Sequence, residues 1–187
     1  MKIIRELSGF KLDKSVITIG TFDGIHLGHQ RLIKKVVSEA KNCGYKSVVV
    51  TFDKLSKNFN NPEKEVKIIT PLEIKIEKMK ELKVDILIVI NFCQDFASLS
   101  PEDFIQKILC NQLGAKIVVT GSDFHFGKNR TGNVNTLSLM SNKLDYNLKI
   151  VPFLRIGDVK VSSTEIRHLL FKGDDKIASM MLGEATI

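Results

Sequence analysis

Five short apolar runs rich in β-branched residues recur along the chain. They are SVITIG (15–20), KSVVVTF (46–52), DILIVINF (85–92), KIVVTG (116–121) and LKIVPF (148–153). Continuous runs of this length predict strands buried on both faces. Helical patterns lie between them: HQRLIKKVVSEAKNCG (29–44), PLEIKIEKMKELK (71–83), PEDFIQKILCNQLG (101–114) and TLSLMSNKL (136–144). Pro71 and Pro101 sit where helices start, and Gly44 and Gly114 where they stop. This alternation predicts an α/β fold, a Rossmann-like doubly wound parallel sheet in a three-layer α/β/α arrangement. The C-terminal part changes character. RIGDVKVS reads as a turn about Gly157-Asp158, SSTEIRHLLFKG as a capped helix, and DKIASMMLG as a last one. The stretch DKLSKNFNNPEKEVK (53–67) has no clear pattern, which points to a functional flap.

Composition narrows the class. A chain of 187 residues with 43% apolar content suits one domain, 1–187, with a proper core. No apolar run nears the roughly 20 residues that a membrane span requires. Met1 to Phe10 carries no apolar signal core, so a cytoplasmic location is expected. Cys43, Cys93 and Cys110 are far apart with no C-x-x-C pair, which argues against a disulfide framework or zinc knuckle. The net charge of +7 suits a polyanion: a nucleotide, nucleic acid or an acidic membrane. Yet lysines such as those in EIKIEKMKELK fall on helix faces where they are expected to be solvated. No basic run is interleaved with aromatics, so neither nucleic acid nor membrane is the expected partner.

Candidate chemistry collects after the strands. Open α/β sheets bind ligands at the carboxyl ends of their strands, and GTFDGIHLGH, FDKLSKN, GSDFHFGKNRTGN and VSSTEIR all fall there. In the first of these loops Gly20 and Gly24 allow a sharp turn, with Thr21, Phe22 and Asp23 between them. A helix starting near Gly28 offers free N–H groups to phosphate. His26 and His29 can donate to phosphate oxygens and carry charge near pH 7. Polar helix capping is the simpler alternative for them. The loop is neither G-x-G-x-x-G nor a Walker A loop. A zinc site needs a third ligand, and neither His125 nor His168 has suitable spacing, so no metal residues are expected. Ser162, Ser163 and Thr164 open a helix, and their hydroxyls and amides suit phosphates, or else simply cap it. Arg167, one turn on, can add a fork-shaped charge.

These motifs carry a resemblance. GTFDGIHLGH resembles the G-x-F-D-x-x-H-x-G-H signature of the H-x-G-H nucleotidyltransferase superfamily. VTGSDFHFGKNRTGN is similar to the G-x-D-F-x-F-G-x-x-R-x-G segment of bacterial FAD synthetases, and VSSTEIR to their I-S-S-T-x-I-R segment. LEIKIEKMKELKVDILIVINFCQDFASLSPEDFI resembles the family's E-K … G-V-D … F-A … L-S stretch. The resemblance covers Ile17 to Gly183 and implies a nucleotidyltransferase fold with FMN adenylyltransferase activity. ATP and FMN would give FAD and pyrophosphate, with Mg²⁺ carried on the triphosphate. His26, His29, Asp123, Ser163, Thr164 and Arg167 are then the catalytic candidates. Gly20, Thr21, Phe22, Asp23, Gly28 and Ser162 are candidates for ATP, with Asp23 orienting either a ribose or a helix cap. Asp53, Phe59, Phe126 and Arg130 are candidates for the flavin. Phe124 is expected in the core, and Arg130 meets the FMN phosphate or is a surface charge.

Two departures from the family pattern matter. The Pro-His-Pro usual after the second strand is replaced by Lys54-Leu55-Ser56, so Phe59 is the substitute flavin platform. The chain also stops about where a riboflavin kinase domain usually begins, so that domain is expected to be absent. A related transferase with another phosphorylated acceptor, or a nucleotide- or flavin-binding module without turnover, remains the alternative.

Overall fold

The structure, a computed structural model, describes residues 1–54 and 66–184. Phe59 therefore lies outside the described residues, as do Leu55 and Ser56. Six parallel strands form the main sheet: β1 (Lys2–Ile4), β2 (Ser15–Ile19), β3 (Lys46–Phe52), β4 (Ile86–Ile90), β5 (Ala115–Gly121) and β8 (Asn147–Val151), in the order β1-β4-β3-β2-β5-β8. The chain leaves β2 for β3 on one side and returns to β5 on the other. The direction of winding thus reverses beside β2, the position where such sheets open a crevice.

Alternation along each strand builds two cores. Ile17, Ile19, Val48, Val50, Ile86 and Ile88 face one side. Val16, Val49, Leu87, Val89, Ile117 and Val119 face the other. Helices α1 (Leu27–Cys43) and α2 (Leu72–Glu81) cover the second face. The first is covered by α4 (Pro101–Asp103), its π-helical continuation Phe104–Gln112, and α5 (Val134–Leu144). A short α3 (Gln94–Ala97) precedes α4. The expected three-layer α/β/α fold is present. Ser100 caps α4 by accepting from the Asp103 amide at 3.0 Å, and the left-handed Gly44 closes α1.

Three features depart from the sequence reading. β1 joins the sheet edge although Lys2–Ile4 is too short to announce a strand. β8 is an edge strand, not one buried on both faces, and Ile150 is 51% exposed. GSDFHFGKNRTGN contains a small hairpin, β6 (His125–Phe126) with β7 (Gly132–Asn133). A second hairpin, β9 (Arg155–Ile156) with β10 (Val159–Lys160), confirms the turn at Gly157-Asp158. Then come α6 (Ser163–Lys172) and α7 (Asp175–Leu182), packed on a third small core around Ile166, Ala178 and Met181. Among the described residues no helix is long and apolar enough to cross a membrane.

The two burial environments are separable by mutation. Ile17 has no exposed surface and sits between Val48 and Val118 on the neighbouring strands. Ile17→Ala should cost about 2–5 kcal/mol in urea unfolding, whereas Ile150→Ala should stay within about 0.5 kcal/mol. Equal costs would contradict the edge placement of β8.

Candidate active site

The turn after β2 is strained and tightly held. Phe22 and Ile25 adopt positive φ of 47° and 37°, a region that costs non-glycine residues on the order of 1–3 kcal/mol each. The surroundings supply the restraint. The buried Asp23 carboxylate accepts from the Ile69 and Thr70 amides, both at 3.0 Å, and pairs with the Arg167 guanidinium. Ser163 donates its hydroxyl to the Asp23 carbonyl at 2.7 Å. The Thr21 carbonyl accepts from Lys75 Nζ at 2.7 Å and from the Thr51 hydroxyl at 3.1 Å. Phe22 itself is buried in the core and meets His29 edge-on at 5.2 Å. Its ring is a support for the histidine, not a ligand surface.

His26 caps α1, its Nδ1 accepting from the His29 amide at 3.3 Å. The two imidazoles stack with centroids 3.6 Å apart and planes 17° from parallel. Gly28 makes room for this: a Cβ there would stand 3.1 Å from His26 Nδ1 and 3.2 Å from Cε1. The expectation of charged histidines is corrected by their environment. Desolvation lowers His26 to about 4 against the pull of Asp123 and Asp23, with Lys160 adding to the depression. Desolvation, then His26 and Lys75, hold His29 well below the usual histidine range. Both rings are neutral near pH 7. Since Nδ1 of His26 accepts, its proton sits on Nε2, leaving that nitrogen as a donor.

Around this pair lies a cavity of about 350 Å³ that Gly20, Gly28, Asp123, Lys160, Thr164 and Phe153 help to line. The N-termini of α1 and α6 both open onto it, through His26, Gly28 and Ser162 to Thr164. The three hydroxyls predicted for phosphates are not equivalent. Ser162 caps α6 by accepting from the Glu165 amide at 3.2 Å, and Ser163 is spent on Asp23. Thr164 is exposed and uncommitted among the described residues. Arg167 lines the cavity as expected, with several of its donors already engaged. Besides Asp23, it donates to the Lys67 carbonyl at 2.8 Å and the Ser163 carbonyl at 3.1 Å, so much of its fork is engaged inside the protein. Asp23 is likewise a structural acceptor, not a group open to a ribose.

A second cavity of about 640 Å³ adjoins the first and shares Ile19, Phe52, Phe124, His125 and Arg130 with it. Its walls are aromatic: Phe52, Phe92, Phe96 and Phe104 meet in edge-on contacts 5.3–5.8 Å apart. Both GSDFHFG phenylalanines border the second cavity, Phe126 as expected and Phe124 against expectation. Phe126 is core at 8% exposed, wedged against Phe104, and Gly132 leaves space for its ring. Phe124, expected in the core, is partly buried, stacks on Phe126 at 5.3 Å and borders both cavities. Arg130 stands at the same seam with no ion pair among the described residues. Asp53 lines neither cavity; it accepts from the Phe92 amide at 3.0 Å and ties β3 to the segment after β4. Asp123 pairs with Lys160. Burial opposes its charge, but the Lys160 hydrogen bond and charge prevail and hold the carboxyl below its ordinary range.

Sequence reasoning missed Lys75 and Lys160. Lys75 was read with a solvated lysine face, yet it is 5% exposed. Its spacing from Leu72, Ile76 and Met79, which pack inward, was the available signal.

Comparison with known proteins agrees with this geometry. The family model described as FAD synthetase matches residues 10–165. A Buchnera aphidicola protein named bifunctional riboflavin kinase/FMN adenylyltransferase is 38% identical over 186 residues, covering 98% of this chain and 59% of that one. A Listeria monocytogenes protein of the same name is 38% identical over 169 residues, 90% of this chain and 53% of its own. The chain thus spans little more than half of these relatives. A Geobacillus thermodenitrificans relative, provisionally named for the same two activities, is 30% identical over 185 residues and is covered to 97%. A solved structure described as a macrolide-efflux protein from Streptococcus pneumoniae superposes with a TM-score of 0.80 at 28% identity, over 97% of this chain and 69% of that one.

Two outcomes test the histidine geometry. Gly28→Ala should leave the fold intact but displace the His26 ring, weakening binding of a triphosphate by about tenfold or more in calorimetry. The second is a pH dependence. Between His26's folded value of about 4 and its ordinary 6.5, the unfolded chain binds the extra proton. The contribution of His26 to stability is therefore full above about pH 6.5 and is lost toward pH 4, amounting to about 3 kcal/mol. His26→Gln should flatten that slope in denaturant titrations; coincident slopes would refute it.

Proposed function

This chain belongs to the FAD synthetase family, and from that premise we propose that it is an FMN adenylyltransferase, making FAD and pyrophosphate from ATP and FMN in the cytoplasm. The observation that carries the reading is the pairing of cavities. One is headed by two helix N-termini and two donor imidazoles, and it adjoins one walled by phenylalanines. The first suits a triphosphate, because first-turn amides and the positive helix ends favour anions. The second suits a flat isoalloxazine, because aromatic edges and faces complement an extended ring system.

The chemistry follows from what such a site supplies. An FMN phosphate oxygen attacks the α-phosphorus of ATP, and the bond to the β-phosphate oxygen breaks in line. No protein nucleophile is needed, so positioning and electrostatic stabilisation carry the rate. His26, through Nε2–H, and His29 donate to phosphate oxygens as charge develops there. Being neutral beforehand, they bind without the cost of two buried like charges. Thr164 and the α6 amides hold the far phosphates. Arg130, at the seam, meets the FMN phosphate, and Phe124 borders the flavin. Mg²⁺ belongs on the triphosphate, because this ion usually rides on substrate phosphates with one or two carboxylates. Asp123 is the carboxylate nearest that role. We read residues 1–187 as one adenylyltransferase unit.

The test is incubation with ATP, Mg²⁺ and FMN, with FAD followed by chromatography and pyrophosphate by a coupled assay. Stoichiometric FAD and pyrophosphate are expected, with none from riboflavin, which lacks the attacking phosphate. His29→Ala should fold normally and lose turnover by about 10²-fold or more. Turnover of a different phosphorylated acceptor, with FMN inert, would overturn the acceptor assignment.

A further inference from the structure

Lys75 is a buried cation that the chemistry above leaves unused. It projects from α2 beneath the turn after β2 and lines neither cavity. Its ammonium donates to the Thr21 carbonyl at 2.7 Å and to the Thr51 hydroxyl at 3.3 Å, while Thr51 donates to the same carbonyl at 3.1 Å. Two donors from two elements thus converge on one backbone oxygen. In a trans peptide the carbonyl and the next N–H point opposite ways. With the Thr21 carbonyl drawn toward Lys75, the Phe22 N–H is turned away from it. That amide makes no hydrogen bond among the described residues, and both Thr21 and Phe22 border the phosphate cavity.

We propose that Lys75 is a positioning residue for adenylyl transfer: with Thr51 it clamps the Thr21 carbonyl and so aims the Phe22 amide at the nucleotide phosphates. The inference rests on the adenylyltransferase reading. A lysine is suited to the task because it reaches across the layer and has three donors on one centre. An uncharged side chain of equal length could fill the space but not hold the oxygen. Burial lowers the ammonium's pKa, against the pull of the nearby Asp23. The same cation also bears on His29. The groups facing that ring are His26 from the α1 cap and Lys75 from α2, both of which disfavour its protonation after burial itself. Asp123 from the loop after β5, Asp23 from the turn after β2 and Lys160 from β10 act on His26.

The experiment compares Lys75→Met and Thr51→Val with the parent protein. The parent is first shown to make FAD; if it does not, the adenylyltransferase reading fails. Given an active parent, folded Lys75→Met should lose on the order of 10²-fold in kcat with the KM for FMN unchanged. Thr51→Val, which removes one of the two donors and no charge, should lose several-fold. The chain has only four histidines, so their ring resonances can be followed individually. In Lys75→Met the His29 midpoint should move toward the ordinary histidine value, and in Thr51→Val it should stay put. A lysine with a purely structural role would lower the melting temperature and, through the lost charge, move the His29 midpoint, but it would leave kcat unchanged. Retention of kcat within twofold by folded Lys75→Met would overturn the proposal. If that variant does not fold, unchanged kcat in Thr51→Val overturns it and a several-fold loss supports it.

Discussion

The buried carboxylate of Asp23 is the contact on which the site depends. It gathers two backbone amides from the segment leading into α2 and a guanidinium from α6, while its own carbonyl takes the Ser163 hydroxyl. Two stretches distant in sequence are thus fastened to one turn. A buried charge without partners is costly, and removing one member of such a pair typically costs about 3–5 kcal/mol. Here the charge is fully engaged, so the arrangement of three loops is set cooperatively, not one by one. The positive φ values at Phe22 and Ile25 persist for the same reason: the turn is held from both sides.

What that turn fixes is the start of α1. With Ile25 and His26 placed, His26 must cap the helix, and the ring of His29 one turn on stacks against it. The stacking requires Gly28 and rests on the Phe22 edge. Burial then determines the protonation state, and with it the direction in which His26 can donate. The order of causes runs from backbone strain through packing to proton location. The ligand-facing chemistry is the last link and not the first.

The sequence discloses the frame well and the side-chain commitments less well. Five strands, their intervening helices, the hairpin at Gly157-Asp158 and the cap at Ser162 follow from runs, spacing and capping residues, all local properties. The loops that line the cavities are also foreseen, because strand ends in an open sheet converge. Local patterns do not say which polar group is already spent inside the protein. Ser163 and Arg167 look like ligand donors until Asp23 is found beside them, 140 and 144 positions away. Asp53 looks like a flavin contact until the Phe92 amide meets it. Phe124 and Phe126 are two positions apart and stack on one another, but only Phe126 is also wedged between Phe104 and Gly132, tertiary contacts that no local pattern shows. Lys75 is concealed by the lysines around it, whose charges are solvated.

The distribution of charge has a consequence for a polyanionic substrate. Lys75 sits beneath the floor, bonded to protein oxygens, while Arg167 lines the cavity with much of its fork engaged, Arg130 stands at the seam and Lys160 faces Asp123. Buried cations are screened less by salt than exposed ones, so their field persists across the cavity at physiological ionic strength. Lys75 borders neither cavity, so it acts on an anion there through its field and not by contact. Neutral imidazoles, the Thr164 hydroxyl and backbone amides also face the cavity, donors whose individual bonds are weaker than ion pairs. A field from below and a surface built largely of neutral donors favour entry of a polyanion without holding it tightly.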